Sequence, residues 1–342
     1  MSERLRVALL AGGRSSEHDI SLASARSVLA ALDAERYDVV PIEIGRDGRW
    51  QLEGGLQQLG TSTDTALVPM PADDATPAVL GSVDVVLPIL HGPFGEDGTV
   101  QGLLELLDVA YVGAGVAASA LAMDKDLFKK VMRDSGIPVA RHHTIRLGDE
   151  VENPFGYPVF VKPARLGSSV GISKVRDESS LAAAVALARR HDEKVLVEEF
   201  VDGLEVEVGV LGNRVPPPVA SLPGSIDTLG HDWYDFASKY DADGMQLVVP
   251  PDLPQETIEL VQRRAVDAFI ASECEGLARV DFFVRAADGE VVVNELNTMP
   301  GFTATSVYAK LFDASGIGYG ELLDRLIQLA LERRERRSAL EY

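Results

Sequence analysis

Three short apolar runs near the start of the chain constrain the fold more than any other feature. They are residues 5–10 (LRVALL), 39–44 (VVPIEI) and 83–90 (VDVVLPIL). Each is short for a helix and largely apolar on both faces, as a strand covered from both sides must be. A helical pattern over about 19–32 separates the first two runs, and another at about 98–107 follows the third. This alternation predicts a parallel sheet with helices on its faces. Ligands of such sheets sit at the carboxyl ends of the strands. Two polar loops fall there, AGGRSSEHDIS (11–21) and HGPFGEDGT (91–99). The first lacks the G-x-G-x-x-G spacing, which disfavours a dinucleotide-binding fold.

A second block begins near Met123. MDKDLFKKVMRDSG (123–136) reads as a helix closed by Gly136, with Pro138 just beyond. YPVFVKPARLGSSVGISKV (157–175) and a helical SSLAAAVALARRH (179–191) follow. A third block opens near KVLVEEFVDGLEVEVGVLGN (194–213) and runs through proline-rich loops at 215–218 and 250–254. It continues with a helix at about 255–273, a hairpin ARVDFFVRAADGEVVVNELN (278–297) and helices at about 305–314 and 320–336. The expected division is 1–122, 123–197 and 198–342. The charge run ERRERR (332–337) reads as a solvated face of the last helix.

Charge and cysteine content narrow the function classes. The 53 acidic and 32 basic residues leave a net charge of −21. That balance disfavours nucleic acid and anionic membranes as partners, yet leaves room for a local cationic cleft around a small anion. Cys274 is the only cysteine, so no intrachain disulfide forms, and it reads as a packing residue in a reducing compartment. With no signal-peptide pattern and no apolar run near the roughly 20 residues of a membrane helix, the expected location is cytoplasmic.

The hairpin carries the strongest chemical signal. Alternation along the second strand puts Val291, Val293, Glu295 and Asn297 on one face. The Asp-Gly turn signal and a three-residue loop set Asp281 opposite Glu295 and Arg279 opposite Asn297. Two carboxylates and an amide together suit a hard cation such as magnesium; the bland alternative is a pair of carboxylates at strand ends on the surface. Lys162, on the face of Phe160 in an apolar strand, either reaches water or meets an anion. LGSSVG (166–171) follows it, a turn whose backbone N–H groups can hold phosphate oxygens or simply close a hairpin. Glu198 and Glu205 are open between contacting a nucleoside and flanking a turn. His91 reads as orienting a substrate, with satisfied loop carbonyls as the alternative. Glu17 by itself reads as a helix-terminus residue favoured by the dipole.

These segments resemble the D-alanine–D-alanine ligases, α/β enzymes of the ATP-grasp fold with an N-terminal parallel-sheet domain, a small central domain and a C-terminal domain. The resemblance spans nearly the whole chain. It rests on GGRSSEHDIS, LHGPFGEDGTVQG, MDK, VFVKPARLGSSVGISKV, SKYDADG, ARVDFFV and NELNTMPGFTATS, in the family's order. It implies that Asp281, Glu295 and Asn297 hold two magnesium or manganese ions, and that Lys125, Lys162 and Lys239 reach ATP. Glu198, Phe200, Val201 and Glu205 are implied at the adenosine and Ser169 in the phosphate loop. Glu17, Ser168 and Tyr240 form a hydrogen-bonded trio, Arg279 and Gly301 stabilise an oxyanion, and Ser306 with neighbouring Val307 receives the second substrate. The implied partners are ATP and D-alanine, with a homodimer and potassium activation as further family expectations. The implied role is supply of a dipeptide for peptidoglycan and the cell wall. A D-alanine–D-lactate ligase and a non-catalytic nucleotide-binding regulator are the rival readings. YDFASKYDADG (234–244) is the expected lid.

Overall fold

The computed structural model describes residues 4–52, 79–227 and 246–341. Lys239, Tyr240 and the expected lid lie outside the described residues.

The first sheet contains β1 (Leu5–Gly12), β2 (Tyr37–Ile44), β3 (Trp50–Leu52), β4 (Val85–Pro88) and β5 (Ala110–Tyr111), in the order β3-β2-β1-β4-β5. All pairs are parallel except β2 with β3 at the edge. Its central strand explains the unbroken apolar run. Val7, Leu9 and Ala11 enter one core, shared with Ala25 and Val28 of α1 (His18–Ala31) and with the last helix. Ala8 and Leu10 enter another, shared with Ile42, Val86 and Leu104 of α2 (Thr99–Leu106). With both faces buried, no polar alternation is possible.

After α3 (Val116–Met123) comes α4 (Lys125–Asp134), which starts where the Asp124 carboxylate accepts the Leu127 N–H at 3.1 Å. The second sheet, β6 (His142–Ile145), β7 (Val159–Pro163), β8 (Ser173–Val175) and β9 (Val195–Glu199), is antiparallel in the order β6-β9-β7-β8. Val159, Val161, Val195 and Val197 pack beneath α5 (Glu178–Arg189). Phe160, Lys162 and Glu198 therefore point the other way, towards a cleft.

The third sheet faces that cleft. β10 (Gly203–Gly212), β12 (Gly224–Asp227), β13 (Gln246–Val248), β14 (Gly276–Arg285) and β15 (Val291–Asn297) form the order β13-β12-β10-β14-β15, and β11 (Val219–Ala220) pairs with β10. Val206, Val208, Val280 and Phe282 bury one face with α3, α4 and α6 (Gln255–Ala271), and Cys274 is buried in the same core, as its packing role requires. The chain continues through α7 (Val307–Ala314) and α8 (Tyr319–Ser338).

The hairpin reaches its expected partners by an unexpected route. Val284 pairs with Val291 and the Arg285 N–H donates to Glu290 O at 2.9 Å, leaving a four-residue loop, Ala286 to Gly289. That loop alone would slip the register by one and separate the carboxylates. A bulge between Asp281 and Phe282 on one strand takes up the extra residue, Asn294, on the other. Asp281 then pairs with Glu295 and Arg279 with Asn297, as the sequence suggests. The shared-face expectation needs correction for the same reason. Val291 and Val293 face the core with Leu296, whereas Glu295 and Asn297 lie on the side of Asp281 and Arg279.

The ERRERR run is also not uniformly solvated. Arg333 is buried at 3% exposure, stacks on Tyr111, and donates to the carbonyls of Gly113 and Tyr111, the latter at 2.6 Å. Its guanidinium satisfies the backbone oxygens of Tyr111, the last residue of β5, and of Gly113 just beyond it.

Candidate active site

A cavity of about 720 Å³ opens between the second and third sheets. Its walls are Phe160 and Lys162 of β7, the Leu166–Ser169 turn, Glu198 through Glu205, and Asn294 and Glu295 of β15, with Lys125 at one end. Phe160 and Phe200, 6.1 Å apart between ring centroids, make an apolar shelf of the size a flat ring needs, and Lys174 Nζ lies 4.2 Å from the Phe200 centroid. Val201 packs behind it against Ala140 and Val292. Ser169 and Glu205 line the same space.

Cations and carboxylates interleave along the floor. Lys162 Nζ lies 2.6 Å from Glu198 Oε1, and Lys129 Nζ lies 2.8 Å from Glu198 Oε2. Burial opposes ionisation of Glu198, but the two ammonium groups outweigh it and hold its pKa down at about 2. Lys125 Nζ donates to Leu166 O at 2.9 Å and lies 3.3 Å from Glu295 Oε2. Lys125 and Lys129 sit one turn apart on α4, so a single helix face delivers both.

The turn after β7 is conformationally demanding. Ser168 and Ser169 both adopt positive φ, 53° and 57°, which costs L-residues on the order of 1–2 kcal/mol each. Successive residues in such a conformation turn their N–H groups to one side, a concavity suited to anions. The turn also brings Ser168 Oγ to donate to Glu17 Oε1, across from the first sheet. Glu17 is buried and wedged beside Gly92, where a Cβ would come within 2.5 Å of its Oε2.

Beyond Glu295 the site continues to Arg279. Its guanidinium binds Asp281 through Nε and Nη2, both at 2.7 Å, and its Nε lies 3.0 Å from Glu207. Desolvation works against this cation, yet Asp281 and Glu207 keep it charged. Asn297 Nδ2 donates to Asp281 Oδ2 at 3.0 Å. Among the described residues, no group of three or more His, Cys, Asp or Glu could hold a metal without help. Asp281, Glu295 and Asn297 nevertheless present only hard oxygen donors, a set that fits magnesium when phosphate and water complete the shell.

His91 is more deeply engaged than its loop position suggests. A carbonyl can only accept, so the 2.9 Å contact to Met299 O places the proton on Nδ1; Nε2 then accepts from the Ser24 hydroxyl at 3.2 Å. Burial lowers the pKa of this imidazole, with Glu17 pulling the other way. Both nitrogens thus serve the protein and hold the segment leading to Gly301. At Gly301 a Cβ would lie 3.3 Å from Ser306 Oγ, and that oxygen accepts the Thr303 N–H at 3.0 Å. Ser306 precedes α7, while Val307 is buried with Ile226 and Leu311.

Two residues at the site escaped the sequence reading. Lys129 looks like one more lysine of a charged helix; its only signal is a position four residues after Lys125, beside the apolar Phe128 and Met132. Glu96 accepts N–H groups from Gly92 at 3.0 Å and Met299 at 2.8 Å, tying the His91 loop to the Gly301 loop. Burial, with nearby Glu17, raises its pKa to about 8.

Two antiparallel sheets gripping a cleft lined with lysines and carboxylates define an enzyme of the ATP-grasp class. Residues 6–114 match the family model described as D-ala D-ala ligase N-terminus, and residues 131–328 that described as D-ala D-ala ligase C-terminus. The D-alanine--D-alanine ligase A of Mesorhizobium japonicum is 47% identical over 361 residues, covering 98% of this chain and 100% of the relative. The solved D-alanine-D-alanine ligase of Coxiella burnetii superposes with a TM-score of 0.86 at 38% identity, covering 98% of this chain and 97% of that one. A Bacillus anthracis D-alanine--D-alanine ligase complexed with ATP gives 0.77 at 27% identity, covering 97% and 99%. This chain belongs to the D-alanine–D-alanine ligase family and is an ATP-dependent ligase.

Proposed function

We propose that the protein joins two D-alanine molecules into D-alanyl-D-alanine at the expense of ATP, through a D-alanyl phosphate, for peptidoglycan synthesis. The observation that carries this reading is the continuity of the site. One line of residues runs from the Phe160–Phe200 shelf, past Lys162 and Lys125, to Glu295 and across the hairpin to Asp281 and Arg279, opposite the Asn297 from which the chain leads to Gly301.

The aromatic shelf, with Val201, Glu198 and Glu205, holds the adenosine, and Lys125, Lys162 and the Ser168–Ser169 turn hold the phosphates. Lys239, from the segment outside the described residues, reaches the nucleotide as well. Glu17, linked to Ser168, receives the amino group of the first D-alanine, and Tyr240 joins them when the lid closes. The carboxylate of that D-alanine attacks the γ-phosphate and ADP leaves, while the lysines neutralise the charge spreading over the phosphoryl oxygens. Magnesium or manganese, two ions held by Asp281, Glu295 and Asn297 with the phosphates, would add further neutralisation there. The amine of the second D-alanine, its carboxylate received at Ser306 beside Val307, then attacks the carbonyl of the acyl phosphate; the amine loses a proton and inorganic phosphate leaves as the amide bond forms. Arg279 and the Gly301 N–H stabilise the resulting oxyanion. His91 orients this assembly through Met299.

We further propose a division into domains at 1–122, 123–197 and 198–342, a homodimer, a cytoplasmic location and potassium as an activator. Among the described residues, no helix is long and apolar enough to cross a membrane.

The test is turnover by the purified protein with ATP and magnesium, following ADP release and the product. ADP should appear only with D-alanine present, in step with the dipeptide. ADP release without dipeptide overturns the reading. A predominance of the ester when D-lactate competes at neutral pH overturns the choice of acceptor.

A further inference from the structure

We propose that Lys129 is a positioning residue: it is the fixed counter-ion of Glu198, and it thereby frees Lys162 to serve a nucleotide phosphate. The inference rests on the proposal above that phosphates occupy the cavity.

The two lysines divide one carboxylate between them, Lys162 on Oε1 at 2.6 Å and Lys129 on Oε2 at 2.8 Å. Their surroundings are unequal. Lys162 lines the cavity, so its ammonium group can turn towards an arriving anion. Lys129 is 0% exposed, does not line the cavity, and has a second acceptor in Asn294 O at 3.2 Å. It cannot follow the ligand without leaving both partners.

Consider the exchange when a triphosphate binds. Lys162 swings to the phosphates and leaves Glu198, a carboxylate only 3% exposed. A buried anion stripped of its cation is strongly disfavoured, so a single lysine would stay with Glu198 and resist the nucleotide. Lys129 removes that obstacle because Glu198 remains paired throughout. The same ammonium group holds the carbonyl of Asn294, the extra residue of the bulge that turns Glu295 towards the site. One buried cation thus stabilises the nucleotide side and the acidic side of the cleft together.

The experiment measures ATP and adenosine dissociation constants by calorimetry for the native protein, K129M, E198Q and K129M/E198Q. In K129M, Glu198 retains Lys162, and ATP affinity should fall about tenfold or more, the worth of one charge-assisted contact. Adenosine, which has no phosphate to lose, should change by less than about threefold, well short of one such contact. In the E198Q background no carboxylate competes for Lys162, so K129M/E198Q should bind ATP as E198Q does. That comparison also stands if K129M alone fails to fold, because K129M/E198Q removes both ends of the Lys129–Glu198 pair and the remaining cation, Lys162, lines the open cavity. Equal losses for ATP and adenosine would make Lys129 a packing residue and overturn the inference. So would an unchanged ATP affinity in K129M, or a further ATP loss on adding K129M to E198Q. Failure of the native protein to bind ATP would instead overturn the functional reading and this inference with it.

Discussion

Glu96→Gln should reverse its effect on stability between mildly acidic and alkaline pH. The native carboxyl accepts two backbone N–H groups, from Gly92 and Met299. Glutamine keeps one acceptor oxygen and turns an NH₂ towards the other donor, so one of those N–H groups is left unmade, at a cost of about 1–3 kcal/mol. Ionisation acts in the opposite sense. The group's pKa is raised from an ordinary 4.5 to about 8, first by burial and then by Glu17. Between those values the unfolded chain has released this proton and the folded chain has not, so native stability falls as pH rises, by up to about 1.4 kcal/mol per unit, and levels off above about pH 8. Glutamine carries no such slope. The variant should therefore be the less stable protein at pH 4.5, cross the native protein at one pH between about 5 and 7, and be the more stable one at pH 8. Urea unfolding of both proteins, read as a difference at each pH, cancels the contributions of the other acidic groups. Parallel stability curves across this range would refute the argument, because Glu96 would then ionise equally in both states.

Arg279→Ala should lower kcat on the order of a hundredfold or more while changing the KM for ATP little, as loss of a transition-state donor does; a change confined to that KM would make Arg279 a nucleotide-binding group. The same variant leaves Asp281 and Glu207 buried without their cation, so its unfolding free energy should drop by about 3–5 kcal/mol, measurable in denaturant. Glu295→Gln should abolish ligation at ordinary magnesium with the fold retained, and any recovery should need higher magnesium concentrations; normal turnover at ordinary magnesium removes the metal assignment. Gly92→Ala places a Cβ within 2.5 Å of Glu17 Oε2 at a residue with φ of 72°. Displacement of Glu17 should raise the KM for D-alanine more than that for ATP, and unchanged kinetics would detach Glu17 from the first substrate.

The sequence was most legible where a pattern has one physical cause. From Val7 onwards LRVALL cannot alternate because both faces of its strand are covered, and the parallel sheet follows from that. The Asp-Gly turn signal set Asp281 opposite Glu295, although through a three-residue loop where the structure has a four-residue loop and a bulge. The bulge behind that register was invisible, since the extra residue, Asn294, breaks no pattern on its own and the four-residue loop cancels its effect at the site. Lys129, Glu96 and Arg333 were missed for a common reason. Each is a charged residue in a polar neighbourhood of sequence, and its burial is decided by a partner remote in the chain: Glu198, Met299 and Gly113 respectively. Their meaning lies in contacts between blocks, which no local window contains. Tyr240 and Lys239 stand apart, being known only through the motif SKYDADG.

The last helix has a consequence for how the protein comes into being. Leu322, Leu326 and Ile327 cover the face of the first sheet that Val7 and Leu9 present, and Arg333 fastens the helix to the sheet's end. A nascent chain emitting β1 through β5 therefore holds an apolar surface that α1 covers only in part until more than two hundred further residues have been made. At roughly 5–20 residues per second, that interval lasts on the order of 10 to 45 seconds. For that time the growing polypeptide depends on chaperones or on temporary partners within itself, and a ribosome stalled before residue 319 would release an aggregation-prone fragment rather than a working N-terminal half.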